Sequence, residues 1–398
     1  MSRYRTVSDM KKKPFISVVL LFIALLLAFS PFSDIIDSVK EKAAVYLSAP
    51  TVEESEELNS LIESNTYYYF NHLSEELKKA YRIMYSSFSS FEPDFSMEIA
   101  EEDINNVFVA VLYDNPHIFW VDNNYKYIVN KNTVTFEPLY RFSQDEAETI
   151  GIAMQNEVNK IISLIDTDAS EYEKELFIHD TLCNRTTYDE STLGRYGDTA
   201  FSSLIDGKAI CEGYSRAMQL LLDAAGIKNY LAVGDAVSNG KAEPHMWNIV
   251  NIDGMNYHLD ATWNDSGQND EIVYFYFNAD DNYIRKTHLN IQPENNNCTS
   301  MQMNYYVVEK SYIQSFDGFN EHISRTAELL SSGCNRAEYV FEKTADFNTA
   351  VKEISDNRNF FGYITSSVNQ SGRNLSTYEI EYYTIDENNY LCIVFKEE

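Results

Sequence analysis

One stretch of the chain, GKAICEGYSRAMQLLLDAAGI at residues 207–227, has the pattern of a helix that begins with a cysteine. Its apolar side chains recur at helical spacing, at Ala217, Leu220, Leu221, Ala224 and Ala225. Gly226 stands where a helix commonly ends in a left-handed residue, so Cys211 falls in the first turn. Unpaired N–H groups and the helix dipole favour a thiolate there and can stabilise an oxyanion. A small buried thiol without a chemical role fits the pattern equally well.

A second stretch, HMWNIVNIDGMNYHLDATW at residues 245–263, predicts a β-hairpin. Asp253-Gly254 is a strong two-residue turn signal, and polar and apolar side chains alternate on either side of it. If the turn is tight, His245 and Asp260 are diagonal neighbours on one face of the ribbon, where their side chains can touch. The opposite face is apolar and suits a core, with Met246, Val250, Ile252, Met255, Tyr257 and Leu259.

These three residue types are the parts of a thiol nucleophile, its base and the group that orients the base. In this interpretation Asp260 holds one ring nitrogen of His245 as a donor, and the other ring nitrogen faces Cys211. The alternative is a His–Asp pair that only satisfies buried polar groups. A shift of one residue in the hairpin register would separate the pair.

With Cys211, His245 and Asp260 in this order and context, the chain resembles the transglutaminase-like superfamily of papain-related thiol enzymes. The likeness includes IHDTLCNRTTYD at 178–189 and covers roughly residues 170–290. It implies an α+β, papain-like core, in which the cysteine helix packs on an antiparallel sheet, and acyl transfer without metal or cofactor. The acceptor stays open, since similar domains cross-link glutamine to lysine, cleave peptides, deamidate or have lost activity.

Three further residues are candidates for supporting roles. Tyr188, in a Tyr-Asp pair typical of the family, and Trp247, beside the histidine, are candidate oxyanion donors, and packing is the alternative for both. His258 alternates onto the face of Asp260 and is a candidate supporting group behind it. A metal site would need two or three more donors at suitable spacing, which the sequence around His258 does not offer.

Two other patterns carry weaker predictions. His179-Asp180 looks like a second dyad, but neighbouring residues on a helix point apart, which favours a structural role. The five cysteines form no dense disulfide framework. Cys298 and Cys334 could pair in an oxidising exterior.

Composition excludes some classes of protein. With 398 residues, 44% of them hydrophobic and 23% charged, the chain is long enough for two or three folded domains. Lys and Arg number 31 against 61 Asp and Glu, which gives a net charge of −30. This charge would repel phosphate backbones, so we expect no nucleic-acid partner.

The N-terminus predicts a membrane anchor. Five basic residues and one acidic residue in the first thirteen precede twenty uncharged residues at 14–33, enough to cross a hydrocarbon core of about 30 Å. The charges predict a cytoplasmic N-terminus, with residues 34–398 outside the cell. A cleaved signal peptide is the alternative, because Ala28-Phe29-Ser30 resembles a cleavage site, although Pro31 follows it.

The regions around the central motifs have their own patterns. In the N-terminal region, Tyr67-Tyr68-Tyr69-Phe70 suits core packing or carbohydrate stacking, a hairpin spans 119–139, and Ser143-x-x-Glu146 is a capping box. In the C-terminal region we expect helices near 315–330 and around Phe347, with strands near 337–341, 378–384 and 390–395.

We therefore expect five segments and an exported, membrane-tethered enzyme. The segments are a stub and anchor (1–33), an acidic linker (34–62), a mixed α/β region (63–166), a transglutaminase-like domain (167–292) and a small α/β domain (293–398). The expected substrate is a protein or peptide amide. The alternatives are a non-catalytic surface binding protein and an enzyme that remodels cell-wall peptides.

Overall fold

The structure, a computed structural model, describes residues 67–193, 195–238, 240–265, 272–356, 359–370, 378–385 and 388–397. The predicted anchor and acidic linker lie outside these residues. Among the helices within them, none combines the length and apolar character needed to cross a bilayer.

Residues 67–162 place helices against a small antiparallel sheet. Their elements are α1 (Tyr68–His72), α2 (Glu75–Ser89), β1 (Phe95–Glu98), α3 (Ile104–Asp114), β2 (Val121–Asn130), β3 (Thr133–Tyr140) and α4 (Gln144–Ile162). The strand order β1-β3-β2 contains the predicted hairpin, and the Ser143–Glu146 capping box begins α4 as expected. Tyr67 and Phe70 are buried, and Tyr68 stacks on Tyr230 at 3.9 Å, so the aromatic run packs against the fold.

A five-stranded antiparallel sheet forms the centre of the molecule. Its strands are β6 (Asn229–Ser238), β7 (Lys241–Ile252), β8 (Met255–Leu259), β9 (Phe277–Ala279) and β10 (His288–Gln292), in the order β10-β6-β7-β8-β9. The associated helices are α5 (Glu171–Arg185), α6 (Cys211–Ala224), α7 (Ala261–Asn264) and α8 (Asp281–Ile284), with a short parallel pair β4 (Thr187–Tyr188) and β5 (Lys208–Ala209). Because the cysteine helix α6 packs on the sheet, the predicted α+β, papain-like core is confirmed.

The β7–β8 hairpin has the predicted register. Ile252 pairs with Met255 and Asn248 with Leu259. Asp253 and Gly254 form the tight turn at φ values of 50° and 81°, which is the left-handed region that Asp-Gly turns favour. Both faces of the hairpin are buried, since β7 is the middle strand and layers pack on both sides of it.

The C-terminal residues form a second, four-stranded sheet with its own helices. The elements are α9 (Tyr305–Val308), β11 (Tyr312–Ile313), α10 (Ile323–Ser331), β12 (Arg336–Phe341), α11 (Thr344–Asp356), α12 (Asn359–Gln370), β13 (Tyr378–Ile385) and β14 (Tyr390–Glu397). The strand order is β11-β12-β14-β13. Helix α12 was not predicted. The five cysteines are free, so Cys298 and Cys334, whose pairing the sequence left open, are not joined: Cys298 is buried, whereas Cys334 is exposed.

The hydrophobic cores join these regions. One core includes Tyr67 and Phe136 of the N-terminal region together with Leu221 of α6 and Tyr257 of β8. A second core joins the other face of the central sheet to strands β12 and β14. The domain boundaries that we expected from the sequence stay predictions.

Candidate active site

Cys211 is the first residue of α6. Ile210 precedes the helix in an extended conformation, and its carbonyl accepts the N–H groups of Gly213 and Tyr214 at 2.9 and 3.2 Å. The N–H groups of Cys211 and Glu212 have no acceptor among the described residues, as is usual for the first turn of a helix. Two backbone donors are therefore open next to the thiol.

Tight packing and polar contacts fix the start of α6. A Cβ at Gly213 would lie 2.4 Å from the carbonyl oxygen of Gly197, so only glycine allows the helix to approach this loop so closely. The hydroxyl of Ser215 lies 2.8 Å from the carbonyl oxygen of Cys211 and 2.9 Å from that of Met246 on β7. Asn248 of β7 donates to the carbonyl of Ser215 at 3.0 Å. These contacts hold the cysteine at a fixed position against the strand that carries His245.

His245 lies between the thiol and a carboxylate. Its Nε2 is 2.8 Å from Oδ2 of Asp260, and the side chain of Cys211 is near enough to interact with the ring. Because Nε2 faces Asp260, Nδ1 is the ring nitrogen left for the thiol. Burial opposes a charge on this ring, but the charge and hydrogen bond of Asp260 and the contact with Cys211 outweigh it. Together they raise the pKa of His245 to about 10.

Asp260 is fully buried where β8 ends. Its Oδ1 accepts the backbone N–H of Trp263 at 3.1 Å, so Asp260 caps the short helix α7 and the β8 ladder stops at Leu259. Burial alone would raise the pKa of this carboxyl. The charge and hydrogen bond of His245, together with those of His288, hold that pKa well below its usual range.

His288 is a member of the site that the sequence reasoning missed. It is fully buried on β10, and its Nε2 lies 3.0 Å from the same Asp260 oxygen that His245 contacts. A single histidine in a five-residue strand has no motif around it. Its approach to Asp260 depends on the order of strands in the sheet, which local patterns do not reveal.

The three candidate supporting residues lie in different surroundings. Trp247 is fully buried and stacks on the His245 ring, but its indole N–H donates to Nδ1 of His258 at 3.0 Å. Because that N–H already donates to His258, it is not available to an oxyanion. His258 lies behind Trp247, with Nε2 3.1 Å from Asp281, and so holds the indole against the His245 imidazole.

Tyr188 is the remaining candidate donor. It pairs with Ala209 across the β4–β5 strands, two residues before Cys211, and is 47% exposed. Partial burial is the main cause that raises the pKa of its hydroxyl to about 12, and the nearby Cys211 and two glutamates add smaller contributions. The hydroxyl therefore keeps its proton near neutral pH and can donate a hydrogen bond.

An open cleft of about 650 Å³ reaches His245. Its lining includes an apolar and aromatic group, Pro244, Trp263, Phe275 and Tyr276, and a charged group, Glu190, Lys241, Glu243 and Asp265. Tyr188 borders the same cleft, and Ile385 and Asn388 of the C-terminal region also line it. Cys211 is 9% exposed and lies next to this lining through its contact with His245.

The comparison with known proteins agrees with this geometry. Residues 160–261 match the family model of the transglutaminase-like superfamily. The chain carries a transglutaminase-like domain. The resemblance that we inferred from the sequence is confirmed. No curated protein is significantly similar to the chain.

Three solved structures resemble parts of the chain. The crystal structure of a TGase is 18% identical over 44% of this chain and 50% of its own, with a TM-score of 0.26. A proposed cysteine protease from Cytophaga hutchinsonii is 14% identical over 35% and 61%, with a TM-score of 0.24. A proposed protease from Parabacteroides distasonis is 13% identical over 34% and 35%, with a TM-score of 0.22. The chain thus spans about half of the first structure and less than two thirds of each of the others.

The second dyad, His179-Asp180, contacts the short helix that follows Asp260. Contrary to the expectation that these neighbours point apart, Nδ1 of His179 is 2.9 Å from Asp180. Nε2 of the fully buried His179 accepts from Asn264 at 3.0 Å. The pair thereby links α5 to the end of α7, the helix that Asp260 caps, in line with the structural role that we predicted.

Two groups of side chains bring three metal-ligand atoms within 4.8 Å of one another: His245, Asp260 and His288, and His258, Asp281 and Cys298. In the first group the contacts of 2.8 and 3.0 Å suit hydrogen bonds, whereas ligands of a tetrahedral zinc lie about 3.3 Å apart. In the second, the N–H of Trp247 points at Nδ1 of His258, so the proton of that ring is on Nε2 and no lone pair is left for a metal. Hydrogen bonds account for both groups.

Proposed function

We propose that this protein is an exported, membrane-tethered thiol enzyme that hydrolyses or transfers the acyl group of a protein or peptide amide. One observation carries the proposal. The thiol of Cys211, at a helix start with open N–H groups, interacts with the ring of His245, whose Nε2 lies 2.8 Å from a buried carboxylate. The transglutaminase-like family of this region supports the same reading.

The geometry suits a two-step acyl transfer. The Cys211 thiolate attacks the amide carbonyl carbon, and the N–H groups at the start of α6 stabilise the oxyanion that forms. As the C–N bond breaks, the His245 imidazolium gives its proton to the leaving amine. Water or a second amine then attacks the thioester and gives a proton back to His245, which restores the thiolate and releases an acid or a new amide. Asp260 orients the imidazole throughout.

A non-catalytic binding protein would not need this arrangement. We expected such a protein to keep the cysteine away from the histidine, or to bury the pair without a cleft. Here the two side chains interact, and a cleft of about 650 Å³ opens onto His245. The geometry therefore favours catalysis over binding alone.

Export and tethering rest on the sequence of residues 1–33. They are tested by fractionating cells that express the full chain and adding protease to intact cells. We expect the protein in the membrane fraction and residues after 34 digested from outside. Recovery in the cytosol, protected from protease, would contradict this part of the proposal.

A substrate screen tests the activity. The full chain is incubated with a glutamine-containing protein plus a fluorescent primary amine, with unstructured peptides, and with cell-wall peptide fragments. Amine incorporation, ammonia release and new termini are measured by fluorescence and mass spectrometry. Cys211→Ala should abolish any product, whereas Cys334→Ala, which removes an exposed thiol, should retain it. Product formation that survives in Cys211→Ala, or no product in any arm, would overturn the proposal.

A further inference from the structure

We propose that His288 is a positioning residue that fixes the Asp260 carboxylate and lets it serve as the charge partner of His245 alone. This inference rests on the proposed function, because it assigns His288 a part in preparing the thiol for reaction. It is carried by the hydrogen bonds around one buried carboxylate.

The two oxygens of Asp260 receive three donors. Oδ1 accepts the N–H of Trp263, and Oδ2 accepts from His245 at 2.8 Å and from His288 at 3.0 Å. An ionised carboxylate only accepts hydrogen bonds, so both imidazoles must present a protonated Nε2 to it. Asp260 and His288 are almost completely buried, so bulk solvent does not reach either side chain.

A neighbouring hydroxyl is compatible with this tautomer of His288, because a hydroxyl can either donate or accept. Nδ1 of His288 lies 2.9 Å from the Thr287 hydroxyl. In a neutral ring with its proton on Nε2, Nδ1 accepts, and the Thr287 hydroxyl can donate to it. The hydroxyl and the carboxylate thus hold the ring from both ends.

The two imidazoles differ in charge although they share an oxygen. Burial lowers the pKa of His288, and the nearby rings of His245 and His258 lower it further. The Asp260 carboxylate offsets this lowering only in part. At His245, Asp260 and Cys211 raise the pKa to about 10 despite burial. A neutral His288 therefore orients the carboxylate without competing for its charge, and the imidazolium forms next to the thiol.

The sheet is built to let His288 reach this position. Gly234 of β6 pairs with His245 on one side, and β10 runs along its other side. A Cβ at Gly234 would lie 2.5 Å from the carbonyl oxygen of Leu289, the residue after His288. The missing side chain lets β10 approach, and the rings of His245 and His288 come within 5.4 Å. Trp247 and Trp263 each contact the His288 ring at 4.9 Å between centroids and restrict its rotation.

The test measures how pH changes the rate at which iodoacetamide labels Cys211 in the full chain. The variants are His288→Phe, which removes the donor, and His288→Gln, which keeps an N–H near the place of Nε2. Without this donor the Asp260 carboxylate can turn away from His245, which weakens the thiolate–imidazolium pair and moves the labelling profile to higher pH. Labelling below the midpoint should slow about tenfold in His288→Phe. His288→Gln should restore most of the wild-type profile, which a merely space-filling role would not predict.

Two further measurements keep the test decisive. Circular dichroism checks that the variants fold. If His288→Phe does not, Thr287→Val, which removes only the hydroxyl at Nδ1, should shift the profile in the same direction by less. A wild-type profile in His288→Phe or Thr287→Val, or equal shifts in the Phe and Gln variants, would overturn the role of His288. The proposed function would be unaffected by that result. If wild-type Cys211 reacts no faster than Cys334, the proposed function fails, and this inference fails with it.

Discussion

A buried histidine usually loses its proton, and the contrast between two histidines of this chain shows why His245 does not. At His117, desolvation lowers the pKa to about 4. His245 is the more deeply buried of the two, but a carboxylate 2.8 Å away and the nearby Cys211 raise the pKa to about 10. The protonation of His245 therefore depends on the Asp260 carboxylate, and the orientation of that carboxylate depends on its three hydrogen-bond donors.

Tyr188 allows a test of oxyanion stabilisation that is independent of thiol activation. Tyr188→Phe removes a hydroxyl that keeps its proton up to about pH 12 and borders the cleft. If this hydroxyl donates to the oxyanion, kcat on a substrate from the screen should fall about tenfold or more. Iodoacetamide labelling of Cys211 should stay unchanged, because alkylation forms no oxyanion.

The control for this prediction is Tyr363→Phe, which removes the hydroxyl of an exposed tyrosine on α12. It should leave both kcat and labelling at wild-type values. An unchanged kcat in Tyr188→Phe would mean that Tyr188 only packs beside the cysteine, which is the alternative that its sequence position left open.

At this scale the sequence predicted that His245 and Asp260 lie together, because a two-residue turn suffices to bring them side by side. The approach of Cys211 to His245 depends on how the helix packs on the sheet, and its role stays a prediction. The roles of His288 and of the Trp247 indole depend on partners that come from other strands. Asp260 and His288 are 28 residues apart, and the irregular pairing between β6 and β10 has no local signal.

Among the elements, β10 is placed by the glycine beside it. Gly234→Ala should displace β10, because its new Cβ would meet the Leu289 carbonyl, and overpacking of this kind costs about 1–3 kcal/mol. We expect a lower thermal midpoint and slower labelling of Cys211, since His288 moves away from Asp260.

Gly362→Ala is the matched control for this substitution. Gly362 lies in α12 with open space around it, so the added methyl group should stabilise the helix by about 0.5–1 kcal/mol and leave Cys211 labelling unchanged. Differential scanning calorimetry separates the two. Equal thermal midpoints for the wild type and Gly234→Ala would show that β10 tolerates the methyl group.

The elements that were predicted correctly are those with strong local signals. The turn at Asp253-Gly254 fixed the hairpin register, and Ser143 with Glu146 fixed the start of α4. Helix α12 escaped prediction because its sequence, NFFGYITSSVNQ, is rich in residues of low helix propensity. It is helical because Phe360, Ile364 and Val368, four residues apart, pack into a further apolar core that the C-terminal helices form with strands β12 and β14.

Across the described residues, two buried carboxyl groups, Asp114 and Glu175, and the partly buried Asp223 make stability depend on pH. Burial raises the pKa of Asp114 to about 7 and those of Glu175 and Asp223 to about 8. Each group holds a proton in the folded chain that the unfolded chain releases above its usual pKa. The free energy of unfolding should therefore fall as the pH rises from about 4 to about 8.

Glu175 offers the clearest test of this pH dependence. It is fully buried on α5 and accepts a hydrogen bond from Asn278 at 2.7 Å, which a glutamine oxygen can also accept. Glu175→Gln should leave stability near pH 5 almost unchanged and raise it near pH 8. At pH 8 the wild-type carboxyl must either ionise while buried or keep a proton that it would lose in the unfolded chain, and both lower the free energy of unfolding. Urea unfolding at the two pH values measures the difference. Glu148→Gln, at an exposed position on α4, should not alter it, and an equal effect of both variants would contradict the assignment.

The most direct test of the central claim is the rate of iodoacetamide labelling at Cys211 near neutral pH, with Cys334 as the reference within the same chain. Cys334 is exposed, whereas burial raises the pKa values of Cys183 and Cys298 and keeps both as thiols. If Cys211 and His245 form a reactive pair, Cys211 should label on the order of ten- to a hundredfold faster than Cys334. His245→Ala should remove that advantage. Equal labelling of Cys211 in the wild type and in His245→Ala would contradict the account.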